Sequence, residues 1–324
     1  MNTIRTFIVT AAATLAAVTA FGQPYIKLRP DETVVLYADS FEGNIDPVYG
    51  QKITYAGFKM EEANGLTGPE TISERGSLAN ISDLARCDLY FAKKPNGQMV
   101  VVCPGGGYGI VSSYNEGIYC AAWFLERGIS VCVVKYRLPN GHRKIPHADV
   151  ENAFRYCRAH AAEWGVDQIG VMGFSAGGHL AATTSTMWTE PQTRPDFSIL
   201  IYPVITMENG LTHRGTREAL LTAKEDWREH IPEKYSMENQ VTRFTPVTFI
   251  AHCSDDNAVP VENSLRYYNR LVDNEVLAEM HIWPKGGHGW GYNEDQYIGK
   301  GKDKFSYARE QYYSALEAWL KRIR

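Results

Sequence analysis

The sequence Q-I-G-V-M-G-F-S-A-G-G-H-L, which runs from Gln168 to Leu180, determines how the rest of the chain is interpreted. Its first residues form a short apolar run, which predicts a buried strand. Small residues follow, and Ser175 lies between Gly173 and Gly177 in a G-x-S-x-G pattern. A strand, this pattern and then a helix place the serine on a sharp turn that exposes its hydroxyl group. The alternative is an ordinary turn, since glycine and serine are common in turns.

Similar short runs, rich in Val and Ile, recur along the chain and alternate with helix-like segments. This alternation predicts an α/β fold, with a mostly parallel central sheet and helices on both of its faces. The strands are predicted in Q-M-V-V-V-C-P, I-S-V-C-V-V-K-Y, Q-I-G-V-M-G-F, S-I-L-I-Y-P-V, T-F-I-A-H and E-M-H-I-W-P. The helices are predicted at Tyr119–Arg127, His147–Trp164, Gly178–Met187, Glu262–Asn274 and Phe305–Arg324. The last helix is expected to pack through Tyr307, Tyr312, Leu316 and Leu320. Before residue 95, T-V-V-L-Y-A and C-D-L-Y-F-A predict antiparallel N-terminal strands of the same sheet.

The composition limits the classes of protein to which the chain can belong. Its 324 residues are 44% hydrophobic and carry a formal net charge of −4, with no long run of Lys and Arg. The length allows a sizeable core, and the charge offers no electrostatic surface for nucleic acid. After residue 22, no segment has 18 uninterrupted apolar residues, so no membrane span is predicted there.

The first 22 residues have the pattern of a secretory signal peptide. Arg5 precedes a short apolar stretch, and the small residues Ala20 and Gly22 are typical of a cleavage site after Gly22. A membrane anchor is the alternative. A lipoprotein anchor is not predicted, because no cysteine lies near the cleavage site. The expected location is therefore periplasmic or secreted. Residues 23–324 are predicted to form one domain, with residues 207–245 as a candidate rim or lid.

The chain has six cysteines, and their spacing does not suggest a metal site. An oxidising compartment permits disulfides, which leaves 15 complete pairings open. Cys103 and Cys132, however, lie in or beside apolar strand-like runs. We therefore expect most of the cysteines to be buried free thiols.

A nucleophilic serine needs a base and a group that orients the base. Two later stretches offer these groups, each directly after a predicted strand. F-I-A-H-C-S-D-D-N-A-V-P contains Asp255 and Asp256, and M-H-I-W-P-K-G-G-H-G-W-G contains His288. Adjacent aspartates are also common in solvated turns, and a histidine between glycines is common in loops. The order serine, aspartate, histidine at successive strand ends nevertheless favours a catalytic triad.

A glycine run supplies a candidate oxyanion loop. In V-V-V-C-P-G-G-G-Y-G, the glycines from Gly105 to Gly107 directly follow a predicted strand. Glycines let backbone amides turn toward a developing negative charge, and the amide of Ala176 at a helix N-terminus is a further donor. A phosphate-binding loop is not supported, because neither G-K-[ST] nor G-x-G-x-x-G with a following acid is present. A purely structural turn is the remaining alternative.

These motifs resemble the α/β-hydrolase superfamily, and within it a secreted bacterial esterase group that includes acetylxylan esterases and feruloyl-esterase-like enzymes. C-P-G-G-G-Y resembles the group's oxyanion loop, and G-F-S-A-G-G-H-L-A its nucleophile turn. F-T-P-V-T-F-I-A-H-C-S-D-D-N-A-V-P and H-I-W-P-K-G-G-H-G-W are similar to its acid and histidine loops. The similarity begins near Leu89 and continues to the C-terminus. Two residues depart from the pattern: Pro104 replaces the histidine of H-G-G-G, and Cys253 stands where relatives often have glycine.

The resemblance implies a role for each candidate residue. Ser175 is the implied nucleophile and His288 the implied base. Asp256 is preferred to Asp255, because the acid of the family stands four residues after a histidine and before x-x-V-P. The implied oxyanion donors are the backbone amides of Gly106, Gly107 and Ala176. No metal or organic cofactor is required by this chemistry.

The expected activity is that of a serine carboxylesterase, acting on short acyl esters, acetyl above all, of a plant polysaccharide such as xylan. The expected partners are acylated carbohydrates or small esters, not nucleic acid or a membrane. A serine peptidase of the prolyl-oligopeptidase type is one alternative, although such enzymes usually carry a long N-terminal propeller, for which residues 23–324 leave no room. A non-catalytic hydrolase-fold binding protein is the other, although no triad member is missing. Candidate aromatic pocket residues, each of which could also be core, are Tyr108, Tyr202, Trp290 and Trp188.

Overall fold

The structure, a computed structural model, describes residues 28–38, 52–221, 230–292 and 306–324. The predicted signal peptide, residues 1–22, lies outside the described residues. The strands are β1 Glu32–Tyr37, β2 Ile53–Phe58, β3 Thr71–Ile72, β4 Ser77–Ala79, β5 Arg86–Tyr90, β6 Gln98–Cys103, β7 Ile110–Ser112, β8 Ser130–Lys135, β9 Gln168–Phe174, β10 Phe197–Ile201, β11 Val247–Cys253 and β12 Ala278–Trp283. The α-helices are α1 Tyr119–Leu125, α2 Ile145–His160, α3 Ser175–Thr186, α4 Arg214–Leu220, α5 Ile231–Lys234, α6 Glu262–Asp273 and α7 Ser306–Ile323.

Nine of these strands form one sheet, in the order β12-β11-β10-β9-β6-β8-β5-β1-β2. Within the described residues, β5 is antiparallel to both of its neighbours, and the other adjacent pairs are parallel. A small antiparallel sheet has the order β3-β4-β7. The predicted mostly parallel α/β sheet is therefore confirmed. Fewer N-terminal strands run antiparallel than expected, because among the described strands of the large sheet only β5 has the opposite direction.

Side chains alternate between two hydrophobic cores, one on each face of the large sheet. In β6, Val101 belongs to the core that also contains Phe154 of α2. Its neighbours Val100 and Val102 belong to the opposite core, together with Leu316 of α7. Successive residues of a strand point to opposite faces, so a strand covered by helices on both sides must be apolar at every position. This explains why the strands were visible as continuous apolar runs.

The last helix packs with a different register from the one expected. Tyr312, Leu316 and Leu320 are buried as predicted, but Tyr307 is 51% exposed. Residues four apart lie on the same face of a helix, and the position four residues before Tyr312 is Ala308, which is buried. Tyr307 is one residue off this stripe and therefore faces outward.

The cysteines occupy the interior. All six are buried, and none is joined in a disulfide: Cys87, Cys103, Cys120, Cys132, Cys157 and Cys253. Burial raises the pKa of the Cys253 thiol to about 12, with smaller contributions from the two aspartates that follow it. The prediction that these thiols are buried is confirmed.

The sheet order brings the predicted site residues to one edge. β6, β9, β11 and β12 are parallel to one another, so their carboxyl ends lie on the same side of the sheet. The glycine run follows β6, Ser175 follows β9, and the acid and histidine loops follow β11 and β12. Ligand sites of open α/β sheets lie at this edge. In the part of the chain that the structure describes, no helix is both long and apolar enough to span a membrane.

Candidate active site

Ser175 lies on the turn that joins β9 directly to α3. Its φ of +52° is in the left-handed region, which is uncommon for a residue with a side chain. The following turn of helix passes so close to the loop after β6 that a Cβ atom on Gly177 would lie 2.1 Å from the carbonyl oxygen of Cys103. Glycine at this position is therefore a steric requirement. Helix α3 consequently starts at Ser175 itself, three residues before the predicted start at Gly178.

The three residues predicted as a triad are joined by hydrogen bonds. Ser175 Oγ lies 3.0 Å from His288 Nε2, and His288 Nδ1 lies 2.7 Å from Asp256 Oδ2. A carboxylate only accepts, so Nδ1 carries the proton and Nε2 is free to accept from the serine hydroxyl. This is the arrangement in which an imidazole can remove the serine proton.

Asp256 is held by donors on both of its oxygens. Oδ1 accepts from the amides of Ala258 and Val259, each at 2.9 Å. Oδ2 also lies 3.3 Å from Nε2 of the buried residue His252. Burial on its own raises the pKa of Asp256, but the hydrogen bonds from His252 and His288 outweigh it, so the pKa lies well below its usual range. Asp256 is therefore ionised at neutral pH.

His252 was not identified as a functional residue from the sequence. Its Nε2 lies 3.0 Å from the carbonyl of Val259 as well as near Asp256, and both partners are acceptors. Nε2 therefore carries a proton, and Nδ1, 2.7 Å from Ser264 Oγ, completes the bonding of the ring. The available signal was its position four residues before Asp256, the spacing that the family pattern shows between a histidine and the acid.

The neighbouring acid has a separate contact. Asp255 Oδ1 accepts from the amide of Gly287 at 2.7 Å, one residue before His288. Asp256 therefore contacts the imidazole ring, whereas Asp255 contacts the backbone of the same loop.

The glycine run lies beside the serine with unused amide groups. Gly106 has a φ of +129°, and a Cβ atom there would lie 2.3 Å from the carbonyl oxygen of Ile110. Among the described residues, no acceptor in the protein takes the amides of Gly106, Gly107 or Ala176. Unpaired amides around a serine hydroxyl are what an oxyanion site requires.

The loop is braced from two sides, although Pro104 replaces the histidine of the family pattern. The hydroxyl of Tyr136 donates to the carbonyl of Pro104 at 2.6 Å. On the other side, Glu116 Oε2 accepts from the amide of Gly105 at 2.6 Å. These bonds hold both residues that precede Gly106.

Glu116 is a second residue that the sequence did not reveal. It is only 8% exposed, and its Oε1 accepts from the hydroxyl of Tyr202 at 3.0 Å. Tyr202 in turn accepts from the amide of Gly291 at 3.2 Å, and its ring centroid lies 4.7 Å from that of His288. Burial raises the pKa of Glu116, opposed by its hydrogen bonds and by the charge of His288. The sequence feature that could have identified Glu116 is its position as the single charged residue in the stretch S-S-Y-N-E-G-I-Y-C.

The aromatic residues expected to line the pocket do not do so. Tyr108 is 2% exposed, and Tyr202 and Trp290 are 0% exposed, so their rings are covered by the protein and do not face an open pocket. Trp188 follows the far end of α3, thirteen residues from Ser175, which is roughly 20 Å at 1.5 Å per helical residue. The first three support the site from behind, because their neighbours in the core cover them.

The candidate rim, residues 207–245, includes α4 and α5, and residues 222–229 of it lie outside the described residues. The amide of Met207 donates to Ser236 Oγ at 2.8 Å, and Arg217 Nε donates to the carbonyl of Met207 at 2.7 Å. These bonds connect the start of the segment to α4 and to the residues that follow α5. A lid motion stays a prediction. In the described parts of the chain, no group of three or more His, Cys, Asp or Glu side chains is placed to hold a metal ion.

Several known proteins are similar to this chain in sequence or in fold. An acetylxylan esterase of Xylanibacter ruminicola is 37% identical over 251 residues, which are 75% of this chain and 50% of that protein. Endo-1,4-beta-xylanase B of Butyrivibrio fibrisolvens is 32% identical over 228 residues, 65% of this chain and 35% of that protein. The chain thus spans half or less of the length of these curated relatives.

A solved structure with the same fold is that of an acetyl ester-xyloside bifunctional hydrolase from Caldicellulosiruptor lactoaceticus. Its TM-score is 0.63 at 32% identity, and the match covers 74% of this chain and 88% of that chain. The α/β-hydrolase fold that the motifs predicted is therefore confirmed. The family model described as BD-FAE matches residues 87–271, which include the glycine run, Ser175 and Asp256. Since this match covers more than half of the sequence, the chain belongs to the BD-FAE family.

Proposed function

We propose that this protein is a serine carboxylesterase that removes short acyl groups, acetyl above all, from a plant polysaccharide such as xylan. The observation that carries the proposal is the continuous hydrogen-bonded path from Ser175 through His288 to Asp256, beside three unpaired amides. Such a combination of nucleophile, base, orienting acid and oxyanion donors performs acyl transfer.

In the first half of the proposed reaction, Ser175 Oγ attacks the ester carbonyl while His288 Nε2 takes its proton. The amides of Gly106, Gly107 and Ala176 stabilise the oxyanion, and Asp256 stabilises the imidazolium that forms. The tetrahedral intermediate collapses, the bond to the alcohol oxygen breaks, and the alcohol leaves with the proton from His288. Water then attacks the acyl-enzyme by the same route, releasing the carboxylic acid and restoring Ser175.

The substrate class is supported by the relatives rather than by the geometry. One relative is named an acetylxylan esterase, and the similar solved structure is described as acting on acetyl esters and xylosides. The predicted signal peptide, with an extracytoplasmic location, agrees with a polymeric substrate outside the cell. An acetyl group also needs no large acyl pocket, which agrees with the burial of the three aromatic residues behind the site.

The nucleophile is tested by the Ser175→Ala variant. We expect the hydrolysis of 4-nitrophenyl acetate to fall by several powers of ten, because only the oxyanion site and substrate binding remain. The variant should keep the wild-type circular dichroism spectrum and thermal unfolding midpoint. The matched control is Ser314→Ala, at an exposed serine of α7, which should behave as wild type. Wild-type activity in a folded Ser175→Ala protein would exclude Ser175 as the nucleophile.

The acyl preference is tested with 4-nitrophenyl acetate, butyrate and octanoate, together with acetate release from acetylated xylan. Longer chains should lose about 10- to 200-fold in kcat/KM, because extra methylenes do not fit a pocket sized for a methyl group. Strong hydrolysis of octanoyl or feruloyl esters without acetate release would indicate a different esterase. Cleavage of peptides without a preference for esters would indicate a peptidase.

A further inference from the structure

His213 is a histidine beside the candidate active site that the reaction proposed above does not use. It precedes α4, within the candidate rim, and its side chain is partly buried. A Cβ atom placed on Gly107 would lie 3.5 Å from Cε1 of this imidazole, so the ring borders the oxyanion loop. The ring also interacts electrostatically with both His288 and Asp256. The distance to Gly107 therefore places the ring beside the loop that supplies two of the candidate oxyanion donors.

The hydrogen bonds of the ring determine its tautomer. Nδ1 accepts from the backbone amide of Thr216 at 3.1 Å, and it lies 2.9 Å from the hydroxyl of the same residue. An amide N–H can only donate, so Nδ1 carries no proton and the proton of the neutral ring is on Nε2. Burial, followed by the charge of His288, lowers the pKa of His213, which agrees with a neutral ring.

The Nε2–H group is an available donor. Within the described part of the chain, no hydrogen-bond acceptor pairs with it, and it is not one of the unpaired buried polar atoms. It is therefore accessible to solvent, on a ring whose other nitrogen is fixed to α4. A donor fixed in this way needs little reorganisation to bind an oxygen of a ligand.

We propose that His213 is a substrate-binding residue, whose Nε2–H donates to an oxygen of the alcohol part of the ester. The inference rests on the esterase function proposed above and assigns a residue to the recognition of the sugar part of that substrate. The acetyl methyl group has no acceptor, the unpaired amides of Gly106, Gly107 and Ala176 are the proposed donors to the carbonyl oxygen, and the ester oxygen that leaves takes its proton from His288. A neighbouring hydroxyl or ring oxygen of a sugar is the acceptor that remains, and a simple aryl acetate lacks it.

Two amide variants separate substrate binding from helix capping, because each can replace only one of the two ring nitrogens. In His213→Asn, the Asn oxygen takes the place of Nδ1 and still caps α4, but no donor remains at the position of Nε2. In His213→Gln, the longer amide can place an N–H at the position of Nε2, but the cap is lost. The substrates are a monoacetylated methyl xyloside, which has free hydroxyls beside the ester, and 4-nitrophenyl acetate, which has none.

We expect His213→Asn to lower kcat/KM for the xyloside acetate by about 10-fold, the effect of one neutral hydrogen bond. His213→Gln should lower it by less than about 3-fold, and the loss of kcat/KM in His213→Asn should be several-fold smaller on 4-nitrophenyl acetate than on the xyloside acetate. The thermal unfolding midpoints should rank in the opposite order, with His213→Asn above His213→Gln, because only Asn caps the helix.

Several outcomes would overturn the inference. Equal losses on both substrates would mean that His213 acts on the carbonyl group common to both. Activity that follows the order of thermal stability would mean that the residue only caps α4. A wild-type protein that hydrolyses neither substrate would instead refute the proposed esterase function, so the two failures are distinguishable.

Discussion

At the scale of single residues, the two adjacent aspartates have different contacts with one loop. Asp256 accepts from the imidazole of His288, and Asp255 accepts from the amide of Gly287. Only the first contact controls which imidazole nitrogen carries the proton. The second orients the backbone that carries the ring.

These contacts predict unequal effects of the same substitution. Asp256→Asn should lower kcat by roughly 10⁴, because the amide no longer stabilises the correct tautomer and the imidazolium. Asp255→Asn should cost far less, since the oxygen of Asn can still accept from Gly287. Steady-state kinetics on 4-nitrophenyl acetate measure both effects. A greater loss in Asp255→Asn would reverse the assignment of the acid.

Glu116 provides a second residue-scale prediction. Glu116→Ala should lower kcat by about 10², comparable to the loss of one oxyanion donor, because the amide of Gly105 loses the acceptor that orients the loop. Glu116→Gln should remain within about 10-fold of wild type, since its oxygen can accept from Gly105 and its amide can donate to Tyr202.

The control for Glu116 is Tyr202→Phe, which removes the contacts of the hydroxyl with Gly291 and with Glu116 Oε1 but keeps the bond between Glu116 Oε2 and Gly105. A boronic acid that mimics the tetrahedral intermediate should bind Glu116→Ala more weakly, in proportion to the loss in kcat. If Glu116→Ala melts at a lower temperature but keeps its kcat and its boronate affinity, the residue only supports the fold.

At the scale of elements, α3 is connected to two other segments through His179. The hydroxyl of Tyr108 lies 3.0 Å from Nδ1, and Nε2 donates to the carbonyl of Tyr235 at 2.8 Å. The carbonyl accepts, so Nε2 carries the proton and the neutral ring is fully hydrogen-bonded. The ring is 1% exposed, and burial lowers its pKa to about 4.

This histidine predicts a loss of stability in mild acid. The pKa of His179 is about 4 in the folded state and about 6.5 in an unfolded chain. The folded state therefore binds fewer protons between these values, and its stability is fully present above pH 6.5 and falls as the pH drops toward 4. The free energy of unfolding should decrease by about 3 kcal/mol over this range through His179 alone.

Urea unfolding of the wild type and of His179→Gln between pH 4 and 7 measures this effect. The variant has no group that titrates at this position, so its stability should depend less on pH. Because other groups are common to both proteins, the difference between the two pH profiles isolates His179. Parallel profiles would show that His179 does not titrate in the unfolding reaction.

At the scale of the whole molecule, a buried ion pair connects the sheet to α2. Arg137, two residues after β8, lies 2.7 Å from Asp149 of α2, and their side chains are 2% and 0% exposed. Arg137 also donates to Tyr37 at the end of β1. Three segments that are distant in sequence therefore share one buried charge pair.

Removing one partner should destabilise the whole protein. Asp149→Asn leaves Arg137 as an uncompensated buried charge, which typically costs about 3–5 kcal/mol. Asp273→Asn is the matched control, because its pair with Arg270 is exposed and should contribute little. The free energies of unfolding in urea measure both effects. Equal, small changes would show that water or a neighbouring group compensates the charge of Arg137.

Short-range sequence patterns predicted the central strands and the turn that carries Ser175. The strands β6, β8, β9, β10 and β11 were predicted within a few residues, because they are buried on both faces and are therefore largely apolar, and the partly buried edge strand β12 was predicted equally well. The nucleophile turn was recognisable because its glycines meet a local steric demand, as at Gly177. The order of Ser175, Asp256 and His288 at strand ends was also readable, since parallel strands end at one edge of a sheet.

The tertiary structure alone determined the surroundings of these residues. Nothing local distinguishes an aromatic residue in the core from one in a pocket, and the packing of separate segments buries Tyr108, Tyr202 and Trp290. The contacts of Glu116 and of His213 likewise join segments that lie far apart in the sequence. The sequence by itself therefore determined two things: the order in which Ser175, Asp256 and His288 follow their strands, and the local turn that carries the serine. Both depend on short-range patterns. Which side chains brace the site and which face a substrate was decided only by folding, because those contacts exist only when distant segments meet.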